Sequence, residues 1–190
     1  MNKILNLDEE TQTAIVEPGV VWSTLERKLS RKGLALKCYP SSAPAATVGG
    51  WIAYGGSGIG SFCNGSIGDQ VIELEVVTSD VVIRTYSEDL DLFIGCEGIT
   101  GLISSATIKV EKKRDLVPVL ASFEDQDDFC SAMHPISENY SPYAVSFKTP
   151  ALNRMTKEAM GTSGDDKERY TILMAFEKRV LAVADRIDLV

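Results

Sequence analysis

The chain has 190 residues, 44% of them hydrophobic, and a net charge of −8 from 19 basic and 27 acidic side chains. That is a globular composition, sized for one large domain or one and a half ordinary ones, and its acidity argues against nucleic acid or an anionic membrane as a main partner. Four scattered cysteines and one histidine argue against a zinc cluster. They suit reduced, mostly buried thiols in a cytoplasmic protein. No run approaches eighteen apolar residues, and MNKILNLDEE has no signal-peptide pattern, so no transmembrane segment is expected.

Thr13 to Val16 reads as a short strand stopped by Pro18-Gly19. Val21, Trp22, Leu25 and Leu29 then form one apolar stripe, which predicts a helix of about three turns. Its last turns carry Lys28, Arg31 and Lys32, and Gly33 suits the residue just past the end. Leu34 to Leu36 returns as a strand. Next comes Cys38 to Gly68, without one Asp, Glu, Lys or Arg in a chain that is 24% charged. Eight of the fifteen glycines lie between Gly49 and Gly68, alongside Trp51, Ile52, Tyr54, Ile59 and Phe62, which favour burial. The pattern predicts ordered but irregular uncharged backbone folded around a polar ligand, which would satisfy its N–H and C=O groups.

Val71 to Val77 and Val81 to Tyr86 are β-branched runs joined through Thr78, Ser79 and Asp80, a hairpin pattern. Leu90 to Ile94 is a short helix or an extended piece, and Leu102 to Val110 is a further strand. The charged run EKKRD, 111–115, reads as a solvated connector. Beyond it, Leu116 to Phe123 reads as a strand, and Asp125 opens a helix with Phe129, Ala132, Met133 and Ile136 on its apolar face. Strands at Tyr143 to Phe147 and Tyr170 to Phe176, a helix over Leu152 to Met160, a polar loop to Lys167 and helical spacing from Glu177 to Val190 complete the series. The expected class is α+β.

The familiar phosphate loops fail on spacing. Gly56-Ser57-Gly58-Ile59-Gly60-Ser61 lacks the final glycine of a dinucleotide fingerprint, and no Gly-Lys pair is followed by Ser or Thr. A different set of blocks is informative. Glu17-Pro18-Gly19-Val20-x-Trp22-x-x-Leu25, Tyr39-Pro40-Ser41-Ser42 and Thr47-Val48-Gly49-Gly50 occur in that order. Gly60-Ser61-x-x-x-Gly65, the Val71 strand and Gly95-Cys96-Glu97-Gly98-x-x-Gly101-Leu102-Ile103 follow. Together they resemble the FAD-binding domain of the PCMH-type flavoproteins (the vanillyl-alcohol oxidase superfamily), in the glycolate oxidase and D-lactate dehydrogenase branch, over residues 13 to 112.

The resemblance implies a PCMH-type second subdomain, a mostly antiparallel sheet with flanking helices over 1–112, followed by an incomplete α+β cap over 116–190. It implies FAD as cofactor, with the diphosphate held by backbone amides. Pro40, Ser41, Ser42, Thr47, Val48, Gly49 and Gly50 would lie along the diphosphate and ribityl chain, with Gly58, Gly60, Ser61 and Gly65 nearer the ring. Glu97, Gly98, Gly101 and Ile103 would lie near the adenine end or the ring's polar edge. Trp51 stands where family members usually carry a small residue or Asn, which would bring an indole near the cofactor. The family's first βαβ unit and the later half of its cap have no counterpart here, which implies a natural split subunit whose partner supplies them, a truncated gene product or an expressed fragment. The implied reaction is hydride transfer from a small 2-hydroxy acid to flavin, by a part of the enzyme inactive alone and contributing no catalytic residue. The alternative is a non-catalytic subunit or scaffold that kept the fold and lost the flavin.

Overall fold

A computed structural model describes residues 1–161 and 169–178. The polar loop expected up to Lys167 lies outside them apart from Gly161, as does the helix expected over 177–190 apart from Glu177 and Lys178. The chain divides into two compact units, Met1–Arg114 and Asp115–Val190. Both are mixed α and β, and every strand pairing is antiparallel.

The first unit is a six-stranded sheet of β1 (Ile4–Asp8), β2 (Thr13–Val16), β3 (Leu34–Leu36), β4 (Val71–Val77), β5 (Val82–Tyr86) and β6 (Leu102–Lys112). Its order is β1-β2-β6-β4-β5, with β3 paired to the end of β6. Strand alternation sends Ala14 and Val16, Leu74 and Val76, and Ala106, Ile108 and Val110 to one buried face. Helix α1 (Trp22–Ser30) covers that face with Trp22, Leu25 and Leu29, all fully buried, as the stripe in the sequence requires. Burying side chains of this size is worth roughly 1.5–3 kcal/mol each.

Two expectations change here. The 111–115 run is a solvated connector only from Lys113 onward, where the two units divide: β6 continues to Lys112 because Leu34–Leu36 pairs with Val110–Lys112. That pairing buries Glu111, whose carboxylate accepts from the Arg114 guanidinium. The charge-free segment is not irregular throughout, because Val48–Tyr54 forms helix α2 and Ser61–Asn64 a single turn, α3.

In the second unit β7 (Leu116–Phe123), β8 (Ala144–Lys148) and β9 (Tyr170–Glu177) form a sheet in the order β7-β9-β8. Helix α4 (Gln126–Asn139) starts where Asp125 accepts from the amides of Asp127 and Asp128. It contributes Phe129, Ala132, Met133 and Ile136 to a core with Ile172, Met174 and Phe176. Helix α5 (Pro150–Met160) is capped by Thr149 and ends on Gly161 in the left-handed conformation. His134 is exposed on α4, 4.0 Å from Glu138.

Candidate functional site

The charge-free segment is held open at its base by three anchors. The first is the isolated bridge between Tyr39 and Ile59, with each amide donating to the other residue's carbonyl at 3.0 and 2.8 Å. It sets the turn carrying Pro40, Ser41 and Ser42 beside Gly58, Gly60 and Ser61. Gly58 must lack a side chain here, since a Cβ would lie 2.3 Å from the Tyr39 carbonyl oxygen. Ser61 Oγ accepts from the Gly58 amide at 2.8 Å and lies 2.8 Å from Cys38 Sγ. Burial pushes the Cys38 thiol up, with the Ser61 hydrogen bond opposing it. Cys38 alone of the four free cysteines is buried, while Cys63 and Cys130 are exposed and Cys96 is partly so. The expectation of mostly buried thiols is therefore corrected: Cys63 and Cys130 lie on the outer sides of the short α3 and of α4.

The second anchor is the start of α2. Thr47 caps it, accepting from the Gly50 amide at 3.4 Å. The Val48 amide donates to Val20 O and the Gly49 amide to Pro18 O, both at 2.8 Å. Those two amides are engaged within the protein, and a Cβ on Gly49 would collide with Pro18 at 2.3 Å. Gly50 differs: it is exposed, its bond to Thr47 is long, and only Thr47 Oγ1 lies near a Cβ there. Trp51 turns into the core and meets Trp22 edge-to-face with ring centroids 5.3 Å apart. The indole is therefore core packing, 8% exposed.

The third anchor joins the end of α2 to the 95–97 turn, where the Glu97 amide donates to Ala53 O at 2.8 Å and the Gly95 amide to Ile52 O at 3.3 Å. Glu97 takes a left-handed backbone (φ 52°). Gly98 is exposed beyond it, whereas Gly101 packs on Val76 and Phe93, and Ile103 pairs with Val76 inside the sheet. No hydrogen bond among the described residues joins 98–103 to 40–50. Sequence reasoning passed over Asn64 and Asp69 as holding groups. Asn64 Nδ2 donates to Lys37 O and Gly60 O, and Asp69 accepts from the Ser66 amide beside Gly65 (φ 82°). The available signals were a polar Asn64 inside the uncharged segment and Asp69 as the first charged residue after it.

The donors left over define what the segment can hold. Among the described residues no acceptor faces the amides of Ser41, Ser42, Ser57 or Gly60. With no Lys or Arg in the segment, an anion there is met by amide dipoles and serine hydroxyls. Tyr54, Ile59 and Phe62 stand exposed from the same segment, offering apolar surface to a flat ring. Spare amides beside exposed apolar side chains match the chemistry of a flavin dinucleotide. Residues 1–86 match the family model described as an FAD binding domain. This part of the chain belongs to the PCMH-type FAD binding domain family. Its cofactor is FAD.

Relatives of the FAD binding domain and its flanks agree. The chain is 36% identical over 119 residues to an alkyldihydroxyacetonephosphate synthase of Trypanosoma brucei brucei, covering 59% of this chain and 19% of that protein. It is 38% identical over 138 residues to glycolate oxidase subunit GlcD of Bacillus subtilis, 67% of this chain and 29% of GlcD. It is 27% identical over 185 residues to a D-lactate dehydrogenase of Archaeoglobus fulgidus, 91% of this chain and 42% of that protein. A solved alkyldihydroxyacetonephosphate synthase structure superposes with a TM-score of 0.83 at 25% identity, over 96% of this chain and 38% of that one. The chain thus spans well under half the length of these curated relatives. No helix among the described residues is long and apolar enough to cross a membrane.

Proposed function

We propose that the chain is the FAD-holding part of a flavoprotein that oxidises a small 2-hydroxy acid of the glycolate or D-lactate type. The observation that carries this is the set of spare amides at Ser41, Ser42, Ser57 and Gly60 beside exposed Tyr54, Ile59 and Phe62, inside a domain of this family. In this reading Ser41, Ser42 and Gly50 donate to the diphosphate, with Pro40 shaping the turn and Thr47, Val48 and Gly49 presenting Gly50. Gly58, Gly60, Ser61 and Gly65 shape the face on which the ring lies, and Glu97, Gly98, Gly101 and Ile103 border it. FAD, when bound, supplies the hydride acceptor. The protein's own residues orient it, and none here moves a proton of the substrate. Residues 116–190 belong to the domain that covers the substrate, and a further βαβ unit meets the diphosphate from its other side. Four unpaired cysteines suit a reducing compartment, the cytoplasm.

Titrating FAD into the chain tests the reading. The expected result is saturable quenching of flavin fluorescence with a rise in Tm, since a ligand that binds only the native state stabilises it by mass action. Gly58→Val should abolish both, because its side chain displaces the Tyr39 carbonyl. No response to FAD would instead favour a subunit that kept the fold without the flavin.

The identity to alkyldihydroxyacetonephosphate synthase and the TM-score of 0.83 favour a second reading, a flavoprotein of that synthase type. Anaerobic addition of glycolate or D-lactate to the flavin-loaded complete protein separates the two. Bleaching of the oxidised flavin band supports hydroxy-acid oxidation, and an unchanged spectrum supports the synthase type.

A further inference from the structure

The exposed side of α1 borders a hollow of about 520 Å³, within the range of small-molecule sites. Its body is formed by Tyr39, Ala43 and Pro44, so it shares one turn with the flavin-holding segment and otherwise lies on different elements. Arg27, Arg31 and Lys113 line it from α1 and from the end of β6. Strand pairing is what assembles them: the Lys113 amide donates to Gly33 O, which brings Lys113 onto the end of α1, where Nζ donates to Ser30 Oγ at 2.7 Å. None of the three cations forms an ion pair with a carboxylate among the described residues. With Glu26 as the one carboxylate lining the hollow, within reach of the Lys113 charge, the hollow keeps a local excess of positive charge in a chain of net charge −8.

The same hollow holds two groups suited to hydroxyls, Glu26 and Tyr39. Glu26 has one carboxylate oxygen engaged by the Leu36 amide at 3.0 Å. Burial pushes its carboxyl upward against that hydrogen bond. Tyr39 is half-buried, and burial followed by the Glu26 charge pushes its phenol upward, so the hydroxyl keeps its proton and stays a donor. Three cations, a carboxylate acceptor, a phenol donor and an apolar wall are the complement of one kind of molecule.

We propose that this hollow binds a small hydroxylated organic anion. Its phosphate or carboxylate pairs with Arg27, Arg31 and Lys113, its hydroxyls with Glu26 and Tyr39, and its carbon skeleton rests on Ala43 and Pro44. Guanidinium forks suit either anionic group. The site does not depend on bound flavin.

Isothermal titration of the 190-residue chain with sn-glycerol 3-phosphate, tartrate and inorganic phosphate tests it. The expected result is saturable binding of glycerol 3-phosphate or tartrate, tighter than inorganic phosphate. Arg27→Ala/Arg31→Ala should weaken it at least tenfold, while Lys28→Ala, on α1 but outside the hollow, should not change it. Tyr39→Phe should weaken the organic anions and leave inorganic phosphate unchanged. Circular dichroism establishes that each variant is folded. No saturable binding by any probe, equal affinity in the Arg27/Arg31 variant, or heat reproduced by sodium chloride of the same ionic strength would each overturn the proposal.

Discussion

The two units solve the same problem with unequal resources. In Met1–Arg114 one continuous core runs from Ala14 to Val110, and both tryptophans sit within it. In the second unit, among the described residues, the buried cluster is Ile136, Ile172, Met174 and Phe176, with Tyr143 buried as well and partly buried neighbours such as Phe129 and Val145 in support. The sheet there is covered on one face: Ile172 and Met174 are buried while Leu173 and its partner Leu120 stand exposed at 48% and 65%. Both units alternate correctly, but among the described residues only the first has a helix, α1, that seals its buried face with three fully buried side chains. In the proposed reading the flavin is held by loop amides such as those of Ser41 and Gly60, which need a base that does not deform, and the deeper core of the first unit supplies one.

The contrast can be broken most sharply in the two cores. Leu25→Ala and Ile172→Ala should each remove about 2–5 kcal/mol. In the thinner core that loss should unfold the unit, and in the deeper one it should lower stability while leaving the fold. Because Trp22 and Trp51 both lie in the first unit, tryptophan fluorescence reads it alone and circular dichroism reads both. Ile172→Ala should therefore remove circular dichroism signal at low urea with the fluorescence transition unchanged. Loss of both signals together would show that the units are energetically one.

Next in size is Gly49→Ala, where the added methyl meets Pro18. Overpacking of this kind costs about 1–3 kcal/mol, and it should weaken FAD binding along with the fluorescence-detected stability. The helix caps give a matched pair. Thr47→Ala and Thr149→Ala each remove a side-chain acceptor, worth about 1 kcal/mol. The first should shift the fluorescence transition and the second only circular dichroism, with Ser restoring either.

The smallest expected effect is a pH slope. Burial raises the Glu26 carboxyl above its ordinary value, so the folded chain holds that proton more tightly than the unfolded chain. Its contribution is therefore greatest below the ordinary carboxylate range and is lost as pH rises through the raised folded value. Glu26→Gln should flatten that part of the curve of urea midpoint against pH, read by fluorescence.

Elements with a strong period were legible in advance: α1 from Trp22, Leu25 and Leu29, the β4–β5 pair, β9 and the apolar face of α4. Three elements were not, the single turn α3 among them. β1 has apolar residues only at Ile4, Leu5 and Leu7 among polar neighbours, and it is a strand because β2 lies beside it. α2 reads VGGWIAY, with two poor helix formers at its start. It is helical because Thr47 caps it, Pro18 and Val20 accept its first amides, and Trp51 and Ile52 gain a core. The candidate site divides in the same way. Ser41, Ser42 and Gly60 were recognisable from their blocks, but that Val48 spends its amide on Val20 and Gly49 on Pro18 was not.

What the amino-acid order determined by itself is every feature set by neighbours within one or two turns: the α1 stripe, the strand alternation, the caps at Asp125 and Thr149, and an uncharged segment suited to amide recognition. Only the tertiary structure decided which amides remain free, where the Trp51 ring goes and why Glu111 is buried. Each of those depends on a partner distant in the chain, and a hydrogen bond or a packing contact has no counterpart in local sequence until folding brings the two groups together.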